Sequence, residues 1–178
     1  MGKVVLYASV SVDGFIAEDN DQPGPIFDWL SDGPDDYTRS SWGDIAVTVA
    51  GRHVFDLTDG WDGKPPADVP HVVVVTHRPP PDGWDPAAPF HFVDGIEPAL
   101  AKAQELAGDG TVEVAAGDVG GQALAAGLVD EVAMDVAPVV LGSGKRYFGS
   151  VDGRHLLEDP HVVVQGKRVL HLRYRVRR

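Results

Sequence analysis

Apolar positions fall along the chain in short runs separated by glycine- and proline-rich stretches. Lys3–Ser11 is rich in Val and Leu and then meets Asp13-Gly14, which predicts a central strand followed by a turn. Ile45–Ala50, His71–Thr76, Phe90–Val93 and Thr111–Ala116 read as further strands of the same kind. Between Ile96 and Ala107, the residues Ile96, Leu100, Ala103 and Leu106 recur at helical spacing, and Gly108 ends that helix. Asp118 is placed to cap a helix over Val119–Ala126, with Gly127 closing it before a strand over Val129–Val140. Asp35–Trp42 fits a short helix, and the chain closes with strands at Val162–Gln165 and Arg168–Val176. Glu18–Gly33 is a loop that tucks Ile26, Phe27, Trp29 and Leu30 inward.

Strands that alternate with helices up to residue 127 predict a mostly parallel sheet with crossovers. Consecutive strands at the end favour antiparallel pairing. The fold class is therefore α/β, one domain over residues 1–178, with a mostly parallel central sheet flanked by helices and antiparallel C-terminal strands.

Composition narrows the chemistry. A chain of 178 residues with 43% hydrophobic and 24% charged residues is an ordinary globular domain. Its longest apolar runs, such as Val136–Leu141, are far below the roughly 20 residues needed to cross a bilayer, so a soluble, cytoplasmic protein is expected. The absence of cysteine removes thiolate and disulfide chemistry. Net charge is −12, and six of the fifteen basic residues lie in the last twelve positions, leaving nine basic against 27 acidic side chains in the first 166. That balance argues against nucleic acid as a partner. The terminal basic residues alternate with Val169, Leu170, Leu172, Tyr174 and Val176, as in a strand with one buried face.

Ligands in open α/β sheets bind beyond the carboxyl ends of the strands, so the segments after each strand carry the candidates. These are Ser11–Ala17, Gly51-Arg52-His53, Thr76-His77-Arg78 and Ala116–Gly121. A glycine turn at a helix start brings free N–H groups and the helix dipole to a phosphate. Gly51-Arg52 and Gly117–Gly121 therefore form two cradles for a pyrophosphate, which points to a dinucleotide. Arg52 adds charge, and Arg78 on the neighbouring strand would meet a phosphate on a ribose, selecting NADPH over NADH. Each of these glycines taken alone reads first as a turn former.

Other classes lack their motifs. The chain has no G-x-G-x-x-G, no phosphate-binding P-loop, no EF-hand and no G-x-S-x-G elbow. Its seven histidines are scattered, without the helical spacing of a metal site, so no metal is expected. Phe27, Trp29 and Tyr147 could wall a pocket or simply fill the core.

The ordered set of segments resembles the dihydrofolate-reductase-like family, and in particular the reductase domain of the bifunctional riboflavin-biosynthesis deaminase/reductase. The resemblance rests on Ser9–Ala17, Gly51-Arg52-His53, Thr76-His77-Arg78 and Ala126–Glu131 leading to Pro138–Gly144. It implies an NADPH-dependent reductase of a small heterocycle such as a pterin or pyrimidine, working as a homodimer. It would place the nicotinamide carboxamide on backbone around Ser9 and Ile16 and the pyrophosphate at Gly51, Arg52 and His53. Thr76, His77 and Arg78 would take the adenosine phosphate, and Gly117, Asp118, Val119 and Gly120 the far side of the pyrophosphate. Riboflavin-type reductases often carry a Glu before a glycine pair at the fifth strand. Here Ala115-Ala116 stand at that pair, Val114 precedes them, and Glu113 is expected on the opposite face. Asp28 and Asp13 are the candidate catalytic carboxylates; Asp28 reads first as a loop carboxylate or helix cap, and Asp13 is also readable as a turn former before Gly14. A nucleotide-binding sensor without turnover is the alternative in another class.

Overall fold

The computed structural model describes all 178 residues. In chain order, Val4–Ser11 forms β1, Phe15–Ala17 β2, Asp36–Gly43 α1, Ile45–Gly51 β3, Arg52–Leu57 α2, His71–Val75 β4 and Phe90–Val93 β5. Then come Ile96–Ala107 (α3), Thr111–Ala115 (β6), Asp118–Ala125 (α4), Glu131–Ala137 (β7), Lys145–Arg146 (β8), Val162–Gly166 (β9) and Val169–Arg175 (β10). The main sheet has eight strands in the order β5-β4-β3-β6-β1-β7-β10-β9. Pairing is parallel from β5 through β7, and β10 and β9 then add antiparallel. As the sequence predicts, β1 is central.

The two faces of the sheet are covered unequally. On one, Val4, Leu6 and Val10 of β1, Val47 and Val49 of β3, Val112 and Val114 of β6 and Val132 of β7 pack against α3 and α4. Alternate residues of the strands thereby enter a common core with Ala99, Leu100 and Ala103 on the apolar stripe of α3. Tyr147 is buried here, its hydroxyl 3.0 Å from Leu6 O and 2.6 Å from Ala133 O. A Cβ at Gly120 would lie 2.9 Å from Ala115 O and from Leu6 Cδ1, so the missing side chain lets α4 lie close on the sheet.

The second face carries two separate clusters. Phe55 of α2 packs with Val72, Val74 and Phe90, and Trp61 and Trp84 close around them. At the other end, Trp29 in the 3-10 turn Gly24–Leu30 packs on Ala137 and Val169. Between these clusters, Tyr7 and Ser9 of β1, Glu113 and Ala115 of β6, and Thr48 of β3 share the strip of sheet between α1 and α2. The strand period of two and the pairings Tyr7 to Ala115 and Thr48 to Glu113 put them there. Tyr7, Glu113 and Ala115 keep part of their surface, so this strip, called the cleft floor below, is only partly covered.

Several expected boundaries move. The strand expected over Val129–Val140 shortens to Glu131–Ala137, because Pro138 lacks the N–H the ladder needs. The helix after β6 starts one residue early, with Gly117 rather than Asp118 at its cap, and Asp118 Oδ1 instead accepts from Ser150 N at 3.1 Å. Trp29 and Tyr147 are core residues rather than pocket walls, and Phe27 is 47% exposed. No helix is long and apolar enough to cross a membrane.

Candidate active site

The carboxyl ends of the parallel strands bring two helix starts together. Gly51 caps α2 and Gly117 caps α4. A Cβ at Gly51 would sit 3.0 Å from Val119 Cγ2, so the two openings adjoin. Gly117 holds φ +98° and ψ −151°, a conformation that L side chains avoid, and a Cβ there would lie 3.5 Å from Ile16 Cδ1. Its own N–H is taken by Tyr147 O at 2.7 Å, so the amides α4 has to offer are those of its first turn, at Asp118, Val119 and Gly120. Gly120 spends its missing side chain on packing, as described above.

The predicted cations are present but already engaged. Arg52 Nε donates to Asp56 Oδ1 at 2.7 Å and its Nη1 to Pro79 O at 2.8 Å, while the guanidinium lies over Phe55 and Phe92. Arg78 Nη2 reaches the other oxygen of the same carboxylate at 2.6 Å, and the Arg78 backbone N–H donates to Thr76 Oγ1. Hydrogen bonds from Arg52 and then Arg78 hold the Asp56 carboxyl below the usual carboxylate range. His77 pairs with Asp94 at the surface. His53 Nε2 lies 3.1 Å from Asp21 Oδ1, which Lys145 Nζ also approaches at 3.5 Å, so the Glu18–Gln22 turn is fastened across to α2 and β8.

Neither proposed catalytic carboxylate lies on the cleft floor. Asp28 is exposed in the 3-10 turn. Asp13 accepts from Ser11 Oγ at 2.6 Å, Gly142 N at 2.7 Å and Leu141 N at 3.1 Å, and this hydrogen bonding, Ser11's first, lowers its pKa. Asp13 thus pins the turn after β1 to the loop after β7. Ser9 is buried on the cleft side of β1, directly beside Asp135 of β7.

The floor itself holds a polar network that sequence reading missed. Tyr7 Oη donates to Asp135 Oδ2 at 2.5 Å and accepts from Trp42 Nε1 at 3.2 Å. His171, fully buried, sets Nδ1 2.6 Å from Asp135 Oδ1 and Nε2 2.9 Å from Asp35 Oδ2. Asp35 in turn caps α1 by accepting from Thr38 N at 2.8 Å. Burial opposes a charge on His171, but its bonds to Asp135 and Asp35 outweigh that and raise its pKa. Tyr7 is pushed well above the ordinary phenol range by burial and then by the Asp135 charge. A closed space of about 10 Å³ between α1 and the sheet, lined by Tyr7, Tyr37, Trp42, Asp135 and Arg173, is near the lower limit for one water.

Glu113 lies on the face opposite Val114, as the strand pattern predicts, but that face is the one toward the cleft. Val114 points into the fully buried core under α3 and α4, and Glu113 faces the cleft with Tyr7 and Thr48. Burial raises its pKa to about 7, with the Thr48 hydroxyl pulling the other way and Asp135 adding to the rise. A partial signal was available: Glu113 and Asp135 are each flanked by apolar residues inside the valine- and alanine-rich strands β6 and β7. No group of three or more His, Asp or Glu side chains is placed to hold a metal ion.

A parallel sheet with an antiparallel C-terminal edge, helices on both faces and a cleft across the strand ends defines the dihydrofolate-reductase-like fold. The chain superposes on a dihydrofolate reductase from Enterococcus faecalis solved with NADP(H), with TM-score 0.62 and 18% identity over 99% of this chain and 98% of that one. Within that fold, the model of the RibD C-terminal domain matches residues 2–171, and the chain belongs to that family. A Shewanella sp. PV-4 structure provisionally described as a riboflavin biosynthesis protein aligns with TM-score 0.77 and 21% identity over the whole of both chains. The riboflavin biosynthesis reductase Rib7 of Saccharomyces cerevisiae aligns at TM-score 0.67 and 13% identity, over 99% of this chain and 90% of that one. A search of curated proteins returned no match.

Proposed function

We propose that the protein is an NADPH-dependent reductase of a small C=N or C=O heterocycle, of the riboflavin-pathway or dihydrofolate reductase type. The observation that carries this reading is the meeting of two glycine-capped helix starts at the edge of a polar-floored cleft, in a member of the RibD C-terminal domain family. The residues fit the cofactor: a side chain at Gly51 would crowd Val119 where the two openings adjoin, and Gly117 holds a backbone conformation that side chains avoid. Backbone around Gly51 and the first turn of α4 would hold the pyrophosphate. Arg78, with 61% of its side chain exposed and tied only to Asp56 and its own turn, would turn to the ribose phosphate, and Thr76 holds that turn in place. Arg52, held by Asp56 and Pro79, contributes a fixed positive field. Main chain near Ser9 and Ile16 would position the nicotinamide, which supplies a hydride to the electrophilic carbon when bound. The helices α1 and α2 flank the floor, and the Tyr7–Asp135–His171 chain keeps α1 in register.

Calorimetric titration tests this directly: NADPH should bind more tightly than NADH, and failure of both to bind overturns the assignment. Arg78→Ala should weaken NADPH about tenfold or more while changing NADH little. An equal loss for both would show that Arg78 does not read the ribose phosphate.

The reading includes a homodimer. Beyond α4, the helix-side face of the sheet is left open at Met134 and Val136 of β7, Leu170 and Leu172 of β10 and Val163 of β9. Val163 is 59% exposed, and a second copy of this chain would cover it.

A further inference from the structure

We propose that Glu113 is the proton donor that completes reduction of a C=N bond in this cleft, a role resting on the reductase reading above. The other carboxylates in reach are committed as acceptors. Asp135 takes Tyr7 and His171, Asp35 takes Thr38 N and His171, Asp13 takes Ser11, Leu141 and Gly142, and Asp118 takes Ser150 N. Glu113 forms no ion pair. It projects from the middle of β6, on the cleft side, and keeps part of its surface there.

The groups around it decide its state. Thr48 faces it from β3, Val5 and Tyr7 from β1, Asp135 from β7 and Arg173 from β10, with Tyr37, Ser41 and Trp42 of α1 behind them. Arg173, the one cation among these, is engaged by Ser41 and lies 3.8 Å from Glu131, so it offsets a charge on Glu113 only in part. A buried carboxyl with no direct ion pair, near a second carboxylate, holds its proton up to about neutral pH, in line with a pKa of about 7.

The chemistry balances with a dihydronicotinamide as the reductant. Hydride adds to the imine carbon, the π pair moves to nitrogen, and that nitrogen takes the Glu113 proton. The dihydronicotinamide becomes a pyridinium, the imine an amine, and the Glu113 carboxylate is reprotonated by solvent through the cleft. An imine nitrogen needs this proton, whereas a permanently charged N-alkyl iminium does not.

Three readouts on the full chain test the proposal. Glutamate labelled with 13C at the carboxyl should show one resonance titrating near pH 7 that Glu113→Gln removes, and Thr48→Val should move it upward, since the hydroxyl favours the charged form. With NADPH bound, Glu113→Gln should cut reduction of 7,8-dihydrofolate about 10²-fold or more and abolish the fall in rate above pH 7. It should leave reduction of an N-methyl pyrrolinium ion within about threefold and NADPH affinity unchanged. Absence of the titrating resonance, undiminished reduction of the imine, or equal losses on imine and iminium would each overturn the role of Glu113. Loss of NADPH binding by the wild-type chain would instead sink the reductase reading, so the two failures are distinguishable.

Discussion

Holding Glu113 near a pKa of about 7, against an unperturbed 4.5, costs stability as well as conferring chemistry. The folded chain binds that proton more tightly than the unfolded chain, so stability falls as pH rises from 4.5 to 7 and stays lower above. The difference amounts to on the order of 3 kcal/mol at most, because Glu113 keeps some contact with solvent. Glu113→Gln should therefore be the more stable protein at pH 8 and lose that advantage at pH 4.5, as read by urea unfolding. His171 runs the other way in charge but the same way in pH. Its folded pKa is raised, so its stabilisation is complete below 6.5 and is lost as pH climbs through the raised value. The advantage of wild type over His171→Gln should shrink from pH 6 to pH 9 in the same assay. The glycines at 51 and 117 were legible in the sequence because turn chemistry is local. Tyr7 with Asp135 and His171 was not, since the partners lie 128 and 36 positions apart and meet only when the sheet forms.

Among elements, α1 depends most on its surroundings. It has eight residues, including Gly43 and the weak helix formers Thr38, Ser40 and Ser41, so propensity alone would not sustain it. It is fixed at its start by Asp35 and near its end by the Trp42 bond to Tyr7. Asp35→Ala should cost about 1 kcal/mol for the lost cap, and more through the stranded His171. Asp35→Asn should keep the cap and recover part of that loss in the same unfolding measurements. The site requires close backbone approach here as well: a Cβ at Gly166 would lie 2.7 Å from Asp35 Oδ2 and 3.0 Å from His171 Nε2. Long periodic elements such as α3 and the valine-rich strands were readable from pattern. The two-residue β8, and the end of β7 at Pro138, were set by tertiary contacts and by a single missing donor.

At the scale of the whole molecule, topology decides more than any single motif. Placing β1 at the centre lets one strand contribute Leu6 to the core and Tyr7 to the cleft, and the crossovers collect all the candidate loops at one end. If two copies associate through the open face of β7, β10 and β9, size-exclusion chromatography with light scattering should report a dimer, and Leu172→Glu should give a monomer without loss of nucleotide affinity. The fastening of the Glu18–Gln22 turn by Asp21 to His53 and Lys145 has its own result. The Lys145–Asp21 pair is near solvent and strongly screened, so ionic strength sets how firmly this turn is tied to β8 beside the two helix starts. Concentrated salt should quicken nucleotide escape, and Asp21→Asn should reproduce that escape rate in dilute buffer.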